Sequence, residues 1–226
     1  CRELIDNGGY KDVLNGLLAT VEIAVFGLII GIIIGTLIAM VKVVPKYKIL
    51  PRILEKVVDV YVGFFRGTPM VVQLLIGYFV LLPSLGVVVS DAVTVAVVIF
   101  GLNSGAYVSE IMRAGIQSVD GGQMEAGRAL GLGFYPTMLK IVIPQSIKNI
   151  LPTLGNEFIV LIKETSVVSF VGALDLYKAF NSIGTSNYEW MVPFLAMALI
   201  YIVLVMLITL GIKLLERRLR KSDRSM

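Results

Sequence analysis

The sequence predicts an all-α membrane protein of five transmembrane helices, with the N-terminus outside and the C-terminus in the cytoplasm. Three observations predict it. Hydrophobic residues make up 57% and charged residues 16% of the chain, with a mean hydropathy of +0.87, which no ordinary soluble domain reaches. Five apolar stretches, near residues 17–44, 57–82, 93–108, 150–171 and 190–212, approach or exceed the roughly 20 residues that cross about 30 Å of hydrocarbon, the third only with its polar flanks. The basic residues fall in alternate connections: Lys42, Lys46, Lys48, Arg52 and Lys56 after the first stretch; Arg113, Arg128, Lys140 and Lys148 after the third; Lys213, Arg217, Arg218, Arg220, Lys221 and Arg224 after the fifth. These are fifteen of the twenty lysines and arginines, and the positive-inside rule puts all three groups in the cytoplasm. The connections around residues 83–92 and 172–189 hold only Lys178, and Tyr188 and Trp190 suit an outer interfacial belt.

Taken in order, residues 1–13 form a polar extracytoplasmic segment with a turn at Asn7, Gly8 and Gly9. Cys1 is read as a trimmed or engineered start, since no signal segment precedes it. Residues 14–216 form one transmembrane domain, and 217–226 a cytoplasmic basic tail. In the first span, Gly27, Gly31 and Gly35 make a small-residue face for close helix approach, within one subunit or between two. Glu22 of the same span meets a partner or snorkels outward.

The second span is broken. Pro69 has no amide for the carbonyl of Phe65 and pushes Thr68 from helical angles, so Arg66, Gly67, Thr68 and Pro69 interrupt the helix. Such backbone is tolerated at membrane depth where it is buried in protein or lines a cavity. Arg66 lies ten residues beyond Lys56, about 15 Å at helical rise and close to the midplane. With Thr68 as N-cap and Pro69 at the first position, the outer half-helix would aim its positive end at a carboxylate. A plain proline kink with Arg66 paired to a protein acid fits the same residues.

In the third span, Asn103 and Ser104 serve as interhelical glue or touch substrate, and Glu110 with Arg113 reads as a helix-surface pair. The cytoplasmic loop, residues 117–149, reads as two short helices, 123–130 stopped by Gly131 and Gly133, and 136–142 stopped by Pro144. The fourth span carries Lys163, Glu164, Thr165 and Ser166 in an apolar run, with Glu164 near the depth of Arg66. Lys163 and Glu164 project about 100° apart and cannot share a partner. Lower down, Asn156 and Glu157 order a cytoplasmic gate, or Glu157 pairs with a basic loop residue.

Several classes are excluded or disfavoured. The chain has no His and a single Cys, so a disulfide framework is out and a protein-bound transition metal has no ligand set. No phosphate-binding loop of the GxxxxGK[ST] type occurs, so nucleotide hydrolysis belongs to another chain. The basic balance follows from topology and anionic lipid contact, with no nucleic-acid stripe. A membrane-embedded enzyme would need a nucleophile or metal constellation that is missing here.

Between residues 125 and 144 the order Glu125, Ala126, then Gly131, Ile141 and Pro144 resembles the cytoplasmic loop of ATP-binding-cassette importer permeases, in which Glu-Ala-Ala is followed after three residues by Gly and nine later by Ile-x-Leu-Pro. Gly127 stands in place of the second Ala and Ile143 in place of Leu. The polar-amino-acid branch is resembled more closely: in Arg66-Gly67-Thr68-Pro69, in Asn103-Ser104-Gly105-Ala106-Tyr107 followed by Glu110, in Gln123-Met124-Glu125-Ala126, and in Lys163-Glu164-Thr165-Ser166. The resemblance spans residues 14–216. It implies a type I importer permease in a prokaryotic cytoplasmic membrane, not itself an enzyme, that carries a polar amino acid, a basic one in the narrower reading, by alternating access. It also implies a second identical or related permease, two cytoplasmic ATPase subunits that hold ATP and magnesium, and an extracytoplasmic amino-acid-binding protein. Glu125, Ala126, Gly127, Arg128, Ala129, Leu130 and Gly131 would couple to the ATPase. Arg66, Gly67, Thr68, Pro69, Asn103, Glu164, Thr165 and Ser166 are the candidate substrate residues. The alternatives are a permease for methionine or a quaternary ammonium compound and, further off, a secondary transporter, which would have no need of the 125–144 loop.

Overall fold

A computed structural model describes residues 8–44, 47, 49–88 and 91–223, with residues 219–223 as backbone only. Cys1, Asn7, Lys46, Lys48 and Arg224, and the side chains of Arg220 and Lys221, lie outside the described residues. All regular structure among the described residues is helical. Helix α1 runs Gly9–Val43, α2 Ile49–Gly67, α3 Met70–Ser84, α4 Ala92–Gln117, α5 Gly121–Ala129, α6 Phe134–Thr137, α7 Ile143–Glu164, α8 Leu176–Asn187 and α9 Met191–Asp223. A π turn, Met138–Val142, joins α6 to α7, and a 3₁₀ segment, Thr165–Val171, extends α7. The first helix starts directly after Gly8, whose φ of +74° only glycine adopts freely, so residues 9–13 are its first turns.

Helices α1, α4 and the Met191–Arg218 part of α9 are each long and apolar enough to cross a membrane. The pair α2 and α3 passes the same test together as a broken span whose axes turn by 109°. Thus the break expected at Arg66–Pro69 is present and is sharper than a kink.

The scaffold is set by α1 lying along α4. Gly27, Gly31 and Gly35 all face that helix: a Cβ on Gly31 would stand 2.6 Å from Ser104 Oγ, and one on Gly35 2.6 Å from Val108 Cγ1. Gly101 and Gly105 on α4 return the fit against Ile30 and Ile34. Of the two readings of the glycine face, packing within the subunit is the one realised. Around this pair, Ile23, Leu74, Phe100, Leu161, Ile162 and Val168 form the main core.

Two prolines did not end their helices, contrary to the reading of Pro144 as a stop. Pro144 cannot donate to Lys140, and its ring would press on that carbonyl in a regular turn. The chain widens instead into the Met138–Val142 π turn just before it and then continues as α7. The same device precedes Pro83, where residues Gly77–Leu81 form a π turn within α3. The connection at 172–189, read as a loop, contains α8. Asp175 caps it by accepting from Tyr177 N and Lys178 N at 3.1 and 2.9 Å, and Leu176, Ala179, Phe180 and Ile183 bury one face.

Candidate functional site

The break in α2/α3 is capped by side chains that the sequence reading did not assign to this task. Thr68 is not the N-cap: Pro69 occupies that position, with no side-chain cap, and Thr68 Oγ1 donates backward to Phe64 O at 2.8 Å. Its hydroxyl oxygen accepts from Gln73 Nε2 at 2.8 Å, and the same Gln73 amide donates to Phe65 O at 2.8 Å and Thr68 O at 3.0 Å. Asn103 Nδ2, on α4, donates to Phe65 O at 3.2 Å and to Gln73 Oε1 at 2.8 Å. Both amide side chains are buried. A proline break frees carbonyls that hydrocarbon cannot satisfy, and Gln73 and Asn103 satisfy them. Asn103 therefore acts as interhelical glue. Gln73 was legible only as a lone amide in the apolar run Met70–Ile76.

Beside the break lies a cleft of about 430 Å³ between α2, α4 and α7, lined by Arg66, Tyr107, Glu110, Ser118, Asn149 and Thr153 among others. Arg66 is exposed and its guanidinium sits 5.5 Å from the centroid of the Tyr107 ring. The ion pair between Arg66 and Glu164 is not formed. Glu110, the acid in the cleft wall, is already engaged by Arg113 at 2.6 Å and by Lys42 at 2.8 Å, and Lys42 also reaches Asp59 at 3.1 Å. The guanidinium of Arg66 thus remains available to an anion. On the cleft wall, Asn149 Nδ2 donates to Ser118 Oγ at 2.8 Å.

Along α7 the cleft face continues from Asn149 through Thr153 to Glu157, at four-residue spacing. Glu157 is buried and accepts from Ser104 Oγ at 3.0 Å; it does not pair with a basic loop residue. Seven residues on, two helical turns, Glu164 is half-buried on the same face. Neither carboxylate has a lysine or arginine in hydrogen-bond contact among the described residues. Lys163 projects elsewhere, into a second cleft of about 280 Å³ with Ser166, Tyr177, Met197 and Tyr201. Thr165 is buried, and Thr165 and Ser166 donate back to Ile162 O and Lys163 O at 2.8 and 3.1 Å. The 3₁₀ segment that they begin packs on the regular part of α3 that follows the break, Met70–Ile76. Gly67, the last residue of α2, is exposed with open space around it, and Pro69 is exposed. Of the predicted substrate residues, the structure joins Thr68 with Asn103 through Gln73 and puts Arg66 in the cleft, while Thr165 and Ser166 are spent on local backbone.

In the loop of residues 117–149, α5 is capped by Asp120, whose carboxylate accepts from Gly122 N at 2.8 Å. It starts two residues earlier than expected and ends in a Schellman turn, Leu132 N to Gly127 O at 3.1 Å and Gly131 N to Arg128 O at 3.0 Å, with Gly131 at φ +83°. Gly127 is buried against Thr137: a Cβ there would stand 2.5 Å from Thr137 Cγ2. Glu125, Ala126, Arg128, Ala129, Leu130 and Gly131 are exposed, Leu130 to 81%. A short helix with its apolar end in solvent is shaped for a partner.

Residues 27–221 match the family described as binding-protein-dependent transport system inner membrane component. The chain is similar to the arginine transport system permease protein ArtQ of Bacillus subtilis, at 41% identity over 93% of this chain and 94% of that one. It is also similar to the putative glutamine transport system permease protein GlnP of Rickettsia bellii, at 40% identity over 92% of each. Among solved structures, an amino acid ABC transporter crystallised with histidines matches with a TM-score of 0.86 at 38% identity, covering 95% and 97% of the two chains. The MetNI methionine ABC transporter matches in fold, with a TM-score of 0.71 at 20% identity over 93% and 95%.

Proposed function

The chain belongs to the family of binding-protein-dependent transport system inner membrane components, and from that premise we propose that it carries a polar amino acid through the Arg66 cleft by alternating access. The observation that supports this most is the cleft itself: a cation without a carboxylate partner on one wall, on the same helices, α4 and α7, that carry the buried polar groups Asn103, Ser104 and Glu157. Arg66 holds the α-carboxylate against Tyr107. Glu157 and Glu164, neither hydrogen-bonded to a lysine or arginine among the described residues, meet the positive end further along α7, which favours a basic amino acid. Relatives named for arginine and glutamine transport support a polar amino acid in general.

In this reading five spans cross the membrane, α7 with its 3₁₀ extension being the fourth, and the N-terminus is outside. The α5 segment docks in an ATPase, so that nucleotide-driven closure of two ATPase subunits rocks this chain against a second permease. A binding protein delivers the amino acid from outside. The 3₁₀ segment, Thr165–Val171, which packs on the helix after the break, is the backbone that adjusts, since it lies outside regular α-helix.

ATP-driven uptake of labelled arginine and glutamine into proteoliposomes holding the assembled importer tests the reading. Arg66→Gln raises KM for both about tenfold or more, the loss of one charge-assisted hydrogen bond. Glu157→Gln raises KM for arginine more than for glutamine. Unchanged KM values in both variants remove the cleft from the path, and uptake of methionine or a quaternary ammonium compound in place of either amino acid overturns the substrate class.

A further inference from the structure

A second, apolar groove of about 410 Å³ lies on the other side of the loop, where the end of α1 meets α4 and the start of α7. Met40, Val43, Ile116, Tyr135, Leu139 and Ile147 line it, and the buried hydroxyl on its wall, Ser146, is spent on Ile143 O at 2.8 Å. We propose that this groove holds an acyl chain of an anionic phospholipid of the cytoplasmic leaflet. Three features carry the assignment. The groove continues a lipid-facing surface: Phe26, Ile29, Ile33, Leu37 and Met40 are exposed at three- and four-residue spacing on α1, about 200° around the helix from the glycine face that packs on α4. That stripe ends in the groove at Met40. The level is interfacial, with exposed Tyr135 on its rim and the last turn of α1 as one wall. Exposed Lys140 follows Leu139 directly and supplies a positive charge beside the apolar wall, which suits an anionic headgroup.

An acyl chain there touches both α1 and the Phe134–Ile147 wall that follows α5, so the lipid bears on the segment that carries the docking helix. The inference rests on the proposed importer reading for its sidedness alone, and its test does not involve transport.

The assembled importer, placed in phosphatidylcholine nanodiscs doped with a phosphatidylglycerol that bears a diazirine on one acyl chain, is illuminated and digested, and the labelled peptides are identified. Label is expected on residues 36–44 and 134–150 about fivefold above that on the exposed face of α9, Leu199, Val203 and Met206, a factor within the reach of one buried apolar contact. Leu139→Glu, or Ile147→Glu should that variant fail to fold, lowers groove labelling while α9 labelling stays constant. Lys140→Gln lowers the preference for the phosphatidylglycerol probe over a phosphatidylcholine probe about fivefold. Groove labelling equal to that of α9, labelling indifferent to the glutamate variants, or cross-links from Leu139 and Ile147 to another protein chain in place of lipid overturns the proposal.

Discussion

Asn103 Nδ2 donates a 2.8 Å hydrogen bond to Gln73 Oε1, and between them these two amides cap the carbonyls that the break after Gly67 sets free. The contact joins α3 to α4 beside the break. It makes the break a fixed architectural feature, because a carbonyl left without a donor in hydrocarbon is expensive.

Gln73→Leu removes the donor to Thr68 O and Thr68 Oγ1 and leaves Phe65 O the longer bond from Asn103, while Asn103→Leu leaves Phe65 O the shorter bond from Gln73 and both Thr68 bonds intact. The first variant is therefore the more damaging. Each loses about 1–3 kcal/mol for the groups left unsatisfied, and the pair is non-additive because the two side chains bond each other. Thermal unfolding of the purified chain in detergent reads both; equal unfolding temperatures for wild type and Gln73→Leu refute the capping role.

Lys42 ties α1 to Asp59 on α2 and Glu110 on α4, whereas Arg113 binds Glu110 within one helix. The Arg113 contact is the shorter, but it is an i, i+3 pair whose cation side chain is 38% exposed, against 11% for Lys42. Lys42→Met should cost about 1 kcal/mol, since it removes a nearly buried cation from Glu110, which keeps Arg113, and from half-exposed Asp59, and Arg113→Gln about 0.5 kcal/mol or less. Unfolding in detergent ranks them, and the reverse order would show that the three-helix tie carries no more than the local pair.

The helical class, the break and the turn that ends α5 were legible because each rests on chemistry local in sequence: apolar length, Pro69, and Gly131. What was missed depends on neighbours. Pro144 looks like a stop until a π turn absorbs its missing amide, and nothing in the sequence marks which turn will widen. Thr68 has the right residue type for an N-cap, but Gln73 and the Phe64 carbonyl compete for its hydroxyl and win. The face on α8 at Leu176, Ala179, Phe180 and Ile183, opened by Asp175, was a readable helix signal, hidden by the polarity of its other face. Glu157 could not be placed from sequence, since only the fold brings Ser104 to it.

Gly127 departs from the Glu-Ala-Ala pattern, and the structure supplies the reason in Thr137. Gly127→Ala should weaken the loop by about 1–3 kcal/mol, because the new methyl meets Thr137 Cγ2 at 2.5 Å in a packed joint. Thr137→Ser removes that methyl and keeps the hydroxyl that donates to Gly133 O; this hydroxyl would still stand 2.9 Å from the new methyl, so the double variant should recover part of the loss. ATPase co-purification and coupled uptake read the result. A single variant as active as wild type would show that the loop absorbs the methyl freely.

Asp175 offers a test by pH. Its carboxyl is fully buried, and burial pushes its pKa up to about 6, outweighing the amides of Lys178 and Tyr177 that stabilise the charge. The unfolded chain releases this proton near pH 4, so between about pH 4 and 6 the folded state holds a proton that the unfolded state has lost. Stability contributed by the protonated carboxyl is therefore complete below about pH 4, falls as pH rises through about 6, and is then gone. Asp91, also an N-cap, shifts the opposite way because the Thr94 hydroxyl and two amides hold its charge, so its contribution changes only at lower pH. Asp175→Asn keeps an acceptor at the cap and cannot ionise. The difference in unfolding temperature, wild type minus Asp175→Asn, should decline from about pH 4 to 6 and level off above about pH 7. A flat difference across that range would mean that the carboxylate is as well accommodated at the start of α8 as it is in water.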